Sequence, residues 1–163
     1  LMIVFNIDED AVDRTDAIEV EMAAKINKPN VSTVALSGKL EMELAQMEPE
    51  EEAEFRESLG VGEPGLDRMI RVSYDLLGLI SFLTTGPDET RAWTIRKGIS
   101  AVDAAAKIHS DIQRGFIRAE IVGYEDLIRT GSIAEARKQG NFRTEGKTYI
   151  MQDGDVVNFL FNV

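Results

Sequence analysis

The sequence predicts an α/β segment followed by a compact α+β module. Three observations carry that expectation. Residues 1–47 alternate strand, helix, strand, helix with short connections, the pattern of an open parallel sheet. Residues 91–120 read as strand, helix, strand, and a further strand closes the chain after Asp153-Gly154-Asp155. The charge divides in the same region: residues 1–79 carry 7 basic and 18 acidic side chains, whereas residues 80–163 carry 11 of each.

Leu1–Asn6 is an apolar run ending in an amide, and such runs mark strands buried on both faces. An acidic loop, Asn6–Asp10, follows. Thr15 or Asp16 is expected to cap the first helix, with Glu19 completing the box for Asp16. Ile18, Met22 and Ile26 recur every four residues and give that helix its apolar face. Asn27–Asn30, with Pro29, breaks it. Val31–Leu36 is a second strand, and Ser37-Gly38 turns into a helix with Leu40, Leu44 and Met47 on one side. Two strands do not complete a doubly wound sheet, and the first opens at residue 1. The chain is therefore expected to be the C-terminal part of a longer protein, and on its own to expose sheet edges and apolar strand faces.

Residues 48–79 read as a helical connector. Pro49 stands at a first helical position and Glu50-Glu51-Glu52 in the first turn, where the helix dipole favours acids, so this run marks a helix start rather than a ligand site. Phe55 and Leu59 are expected to face inward. Gly60–Gly65 interrupts the segment, and Leu66, Ile70, Tyr74 and Leu77 mark a second helix.

Ile80–Thr85 is a strand ending at Gly86-Pro87. Ala92–Ile95 is another, with Trp93 in the core, and it turns at Gly98. Ser100-x-x-Asp103 signals the start of a helix, which Gly115 is expected to end in a left-handed conformation. Phe116–Ile121 is a strand, and Tyr124–Arg129 and Ser132–Gln139 are short helices. Thr148–Met151 and Val156–Val163 are expected to be strands around the Asp153-Gly154 turn.

Several functions are excluded or disfavoured at once. Cysteine is absent, which removes disulfides, thiolate metal sites and thiol nucleophiles and fits a cytoplasmic protein. No apolar run approaches the ~20 residues of a membrane span. The single histidine, His109, stands near a helix end and reads as a packing or helix-terminal residue; no metal site is expected around it. Gly140–Thr148 looks like a phosphate loop, but five residues separate Gly140 from Gly146 where that motif has four, and no strand–loop–helix context surrounds it. Arg91, Arg96, Lys97, Arg114 and Arg118 are local basic points in the second half, and the acidic first half is a poor phosphate binder.

Asn6 and Glu9 are the leading site candidates. They follow the end of a strand, where open α/β sheets place ligands. An amide donates and accepts and a carboxylate accepts, which suits the edge of a nucleobase. Ser37, at the end of the next strand, would lie close by if the strands are neighbours. An ordinary acidic loop remains the alternative.

Longer blocks then carry a resemblance. Arg91–Gly98, Ala105–Asp111, Arg114–Glu120, Glu145–Ile150 and Gln152–Val156 closely resemble the C-terminal TGS domain of the YchF/Obg-like P-loop NTPases, and Glu63–Arg68 and Leu79–Gly86 match the approach to it. The resemblance covers essentially the whole chain. It implies that residues 1–47 are the C-terminal part of a P-loop nucleotide-binding domain, 48–79 a helical connector, and 80–163 a TGS domain of β-grasp, ubiquitin-like fold. Asn6-Ile7-Asp8-Glu9 matches the family's N-x-x-E element, so Asn6, the backbone at Ile7, and Glu9 would meet a purine base, with Ser37 in the following base-binding loop. The implied ligand is ATP or GTP with Mg²⁺. The family's phosphate loop and Mg²⁺ ligands have no counterpart in these residues, so the chain alone is expected to be catalytically inactive, with hydrolysis belonging to a parent ATPase/GTPase. The implied partners are a purine nucleotide, ribosomes or translation factors, and RNA through the TGS domain. DNA and membranes are not among them, and the implied location is cytoplasmic. The alternative is a stand-alone β-grasp module that binds RNA or protein without nucleotide chemistry. An independent hydrolase has no support, since no acid pair stands in an apolar setting.

Overall fold

The computed structural model describes residues 1–86 and 89–162, and the chain divides into two units, Leu1–Leu77 and Gly78–Val163. Pro87, at the end of one predicted strand, and Val163, at the end of another, lie outside the described residues.

The first unit contains strands β1 (Met2–Asn6) and β2 (Ser32–Leu36), paired parallel with Asn6 opposite Leu36. Helix α1 (Thr15–Ile26) links them, and α2 (Gly38–Leu44), α3 (Pro49–Leu59) and α4 (Gly65–Leu77) follow. Ile18, Met22 and Ile26 form the half-buried face of α1, as their spacing implies. The helix ends at Asn27, which adopts a left-handed conformation at φ 40°. Leu40 and Leu44 of α2 are buried, as are Val34 and Ala35 of β2.

Several expectations for this unit are corrected. β1 is not buried on both faces: Val4 is 39% exposed, because β2 is its one strand partner among the described residues. The acidic loop is not irregular beyond Asp8. That residue caps a 3-10 helix, Glu9–Arg14, by accepting the Glu9 amide at 3.1 Å. No side chain caps α1; Glu19 instead accepts the Ala35 amide of β2 at 2.5 Å. Phe55 and Leu59 point outward, and the buried residue of α3 is Arg56. The Leu66, Ile70 and Leu77 stripe of α4 is also exposed, while Met69, Val72 and Leu76 are half-buried. The helical period was legible there, but the inward face was not: α3 turns in Arg56, paired with Glu41 and Glu52, and α4 turns in Met69, Val72 and Leu76.

The second unit is a five-stranded sheet in the order β4-β3-β7-β5-β6. Its strands are β3 (Leu79–Thr85), β4 (Thr90–Arg96), β5 (Phe116–Gly123), β6 (Phe142–Glu145) and β7 (Asp155–Phe161). The β3–β7 pair is parallel and the others are antiparallel. One face packs Ile80, Phe82, Ile95, Phe116, Ile121, Val157 and Phe159 with Ala101, Ala104 and Ala105 of helix α5 (Ala101–Ile108). The three alanines let the helix approach closely. Ser100 caps it, accepting the Asp103 amide at 3.3 Å. Helices α7 (Tyr124–Thr130) and α8 (Ile133–Lys138) cover part of the opposite face, where Leu127 and Ala136 join Leu83, Val122, Phe142 and Val156. The sheet therefore carries helices on both faces, one more layer than the sequence reading allowed.

The predicted continuous helix up to Gly115 is broken at His109, which is extended at φ −162°. A short helix, α6 (Ser110–Arg114), follows. His109 caps it, its Nδ1 accepting the Asp111 amide at 3.2 Å. Gly115 is not left-handed, with φ −89°; it is required because a side-chain carbon there would collide with the Asn162 carbonyl just after β7. Trp93 is half-buried rather than fully enclosed. It stacks on Phe82, donates to Thr84 Oγ1 at 2.9 Å and lies under the Arg91 guanidinium.

Thr148–Met151 is not a sheet strand. It makes one isolated bridge, Ser100 to Ile150, and the strand lies earlier, at β6, inside the phosphate-loop lookalike. Asp155 fixes this arrangement from a buried position. Its carboxylate accepts from the Gln152 amide at 2.9 Å, Tyr149 Oη at 3.0 Å and Arg143 Nη2 at 3.4 Å. Burial first, and then the Asp155 charge and hydrogen bond, raise the Tyr149 hydroxyl above its ordinary pKa, against the opposing pull of Arg143.

Candidate functional site

In a parallel pair the strands run side by side, so their C-terminal ends open at one place. Here that end brings together Asn6, Ile7 and Glu9 after β1 and Ser37 after β2. The Ile7 amide donates to the Leu36 carbonyl at 2.9 Å, extending the ladder into the loop. Asn6 Oδ1 accepts the Gly38 amide at 2.9 Å, tying the two strand ends together. The Asn6 side chain is exposed, and with Oδ1 engaged its Nδ2 can serve as a donor to a ligand. A Cβ on Gly38 would approach Asn6 Oδ1 to 3.3 Å, which explains a glycine at this contact.

Ser37 is buried and caps α2, its Oγ accepting the Leu40 amide at a long 3.5 Å. It is thus a structural residue first, its oxygen serving the helix cap. Glu9 heads the 3-10 helix and is half-buried; its Oε2 accepts from Lys39 Nζ at 3.0 Å across the strand ends. This contact holds the Lys39 ammonium above its ordinary pKa, chiefly through the hydrogen bond with Glu9, then through the Glu9 and Glu43 charges.

Two groups of charged residues support this end, and sequence reasoning missed both. Arg56 of α3 donates to Glu41 of α2 through both terminal nitrogens, at 3.1 and 2.7 Å, and to Glu52 at 2.8 Å. Glu41 also accepts the Gly65 amide at the start of α4 at 2.9 Å. Burial works to raise the Glu41 carboxyl, but the Arg56 hydrogen bonds, the Gly65 amide and the Arg56 charge outweigh it and hold the group below its ordinary range. Arg56 is raised by Glu41 first, with burial opposing and Glu52 adding. The second group joins Arg68 of α4 to Glu19 of α1 at 2.5 Å. Arg68 also donates to the Ala35 carbonyl at 3.4 Å, while Glu19 takes the Ala35 amide. Both polar groups of Ala35 on the outer edge of β2 are thus satisfied by side chains instead of a further strand. Glu52 and Arg56 stand four apart, a spacing readable in sequence. Glu41 and Glu19 carry no such signal, because their partners are remote in the chain.

A cleft of about 460 Å³ lies beside this support, lined by Val12, Asp16, Ser37, Glu41, Arg68 and Arg71 with neighbouring residues. Arg71 is paired with Glu63 at its rim. Among the described residues no three His, Asp or Glu side chains converge on a point that could hold a metal ion. The acids near Asn6 do not form a Mg²⁺ ligand set among the described residues. What the strand-end site offers is directional hydrogen bonding: an amide donor, a carboxylate and exposed backbone.

Comparison with known proteins identifies the family. The family YchF-GTPase_C, described as a protein of unknown function (DUF933), matches residues 79–162. The ribosome-binding ATPase YchF of Bacillus subtilis is 47% identical over 167 residues, covering 100% of this chain and 45% of that protein. The Haemophilus influenzae protein of the same name is 43% identical over 164 residues, covering 99% of this chain and 44% of its own length. The chain thus spans somewhat under half the length of the curated relatives it matches. Among solved structures, the Schizosaccharomyces pombe YchF GTPase superposes with a TM-score of 0.77 at 31% identity, over 96% of this chain and 42% of that one. A GTP binding protein from Pyrococcus horikoshii shares the fold, with a TM-score of 0.64 at 22% identity over 99% of this chain and 45% of that one. A family match over more than half of the chain, with these relatives beside it, places the mixed α/β structure, and the chain belongs to the YchF-GTPase_C family.

Proposed function

We propose that residues 1–47 supply the base-recognition end of a purine-nucleotide site and that residues 80–163 form a TGS domain of β-grasp fold that docks on the ribosome. The carrying observation is the convergence of Asn6, Ile7, Glu9 and Ser37 at adjacent parallel strand ends, with Asn6 bonded to the Gly38 amide. Relatives named ribosome-binding ATPase support a parent protein that uses ATP and binds ribosomes; GTP as an alternative, Mg²⁺ and a cytoplasmic location belong to the same proposal. In that reading Asn6 and the Ile7 backbone meet the base and Glu9 reads its edge. Ser37 serves by shaping the loop, and residues 48–79 connect the two functions. The phosphate and Mg²⁺ contacts come from residues outside this chain.

The β-grasp assignment is supported by the strand order, the parallel β3–β7 pair at the centre and α5 across one face. The part of the opposite face that α7 and α8 leave uncovered, near the exposed Arg118, is suited to contact with RNA or protein. Among the described residues no helix is long and apolar enough to cross a membrane.

The test is an NMR titration of the 163-residue chain with AMP and GMP. Shifts centred on the Ile7, Gly38 and Lys39 amides, lost in Asn6→Ala, are expected. No shift at these amides at high nucleotide concentration would overturn the base site. Cosedimentation with ribosomes should weaken steeply as salt rises if RNA phosphates are contacted. Absence of binding at low salt would remove the docking role.

A further inference from the structure

The strand-end site contains one contact whose consequence reaches base selection, and it rests on the base-site reading above. Adenine and guanine share an acceptor at N7, which the Asn6 amide nitrogen can meet in either case. They differ on the Watson–Crick edge. Guanine presents N1–H and N2–H₂ side by side, a pair of donors that matches both oxygens of one carboxylate. Adenine presents an acceptor at N1 and offers no such pair. A free Glu9 would therefore favour guanine, since a carboxylate accepts at both oxygens.

Glu9 is not free. Its Oε2 is bonded to Lys39 Nζ at 3.0 Å, and Lys39 reaches it from the other strand end, one residue beyond the Gly38 amide that Asn6 holds. We propose that Lys39 sets the base preference of this site by engaging one oxygen of Glu9 and offsetting its charge, so that the carboxylate captures the guanine donor pair less strongly. The site is left with Asn6 as its main contact, and Asn6 does not distinguish the purines. Glu43, 3.8 Å from Lys39, competes for the same ammonium and offers it a second resting place. Lys39 is therefore a mask rather than a fixed ligand. The pair is solvent-exposed, with side-chain exposures of 65% for Lys39 and 35% for Glu9. Such pairs are modest and are screened by salt, so the mask is partial.

Affinities for AMP and GMP are measured on the whole chain by amide shifts at Ile7 and Gly38, in the wild type, Lys39→Met, Glu9→Gln and the double variant. All are surface substitutions outside the core. Lys39→Met is expected to raise the GMP-to-AMP preference by roughly twofold to fivefold, the range that an exposed ion pair supports. The double variant is expected to return to the wild-type ratio, because the unmasked carboxylate is gone. Raising salt should move the wild-type ratio toward that of Lys39→Met. Equal changes for both nucleotides in Lys39→Met, or a raised preference that persists in the double variant, would remove Lys39 from base selection while leaving the site itself standing. If neither nucleotide shifts these amides in the wild type, the base site falls and the mask falls with it.

Discussion

The two units of this chain are held by different forces. The second is an ordinary apolar core: Phe82 is fully buried, edge-on to Phe159 and stacked on Trp93, within a cluster of aliphatic side chains and helix alanines. The first has a short list of buried apolar residues, Val34, Ala35, Leu40 and Leu44, and gathers its helices through Arg56–Glu41–Glu52 and Arg68–Glu19. Apolar burial is insensitive to pH and tolerates salt, whereas ion pairs depend on charge state and on both partners being present. The first unit, built on paired charges, is thus the more conditional half of the molecule.

The largest expected effect lies in the apolar unit. Phe82→Ala should cost about 3–5 kcal/mol, the range for truncating a buried aromatic residue. Urea denaturation should show the transition of Gly78–Val163 moving to lower denaturant, with amide exchange in β1 and β2 unchanged. Equal loss of protection in both units would show that they are not independent.

Arg56→Ala comes next. It leaves Glu41 and Glu52 without their cation, and because Glu41 is partly solvated the cost is about 2 kcal/mol, below the ~3–5 of a fully buried pair. Exchange protection should fall in α2 and at the Gly65 amide while β3 and β7 keep theirs. A change confined to α3 would refute the view that Arg56 fastens three helices.

The smallest effect is that of acid. Glu41 has a pKa lowered below its ordinary 4.5 in the folded chain. A depressed carboxyl contributes stability that is present above the unfolded value and lost as pH falls through the folded one. The first unit should therefore loosen as pH drops below about 4.5, and Glu41→Gln should remove that part of the pH dependence. Identical acid profiles for the wild type and Glu41→Gln would sink the assignment.

The strand-end site was partly legible. Asn6, Glu9 and Ser37 stand after apolar runs, and strand-end placement follows from the βα pattern. The pairing of Lys39 with Glu9 was not legible, since 30 residues separate them and α1 intervenes. The same limit applied to Arg56. An arginine in a glutamate-rich helix reads as solvated, and its burial depends on Glu41 and the Gly65 amide arriving from other elements. Phe55 and Leu59 were assigned inward because apolar periodicity marks a face without saying whether the face is covered.

Local chemistry by itself determined where elements begin and stop. Ser100, Ser132 and Pro49 start helices, Asn27 ends one, and alternation and apolar runs mark most strands, because backbone conformation and capping act within a few residues. Tertiary structure decided what depends on remote partners. It moved the strand from Thr148–Met151 to Phe142–Glu145, where β5 offers a ladder, and broke the helix at His109. It also turned Arg56 inward and placed an ammonium on Glu9. Each of these is settled by hydrogen-bonding or charged groups that meet only once the chain has folded, and a polar group's cost of burial is offset only where its partner stands.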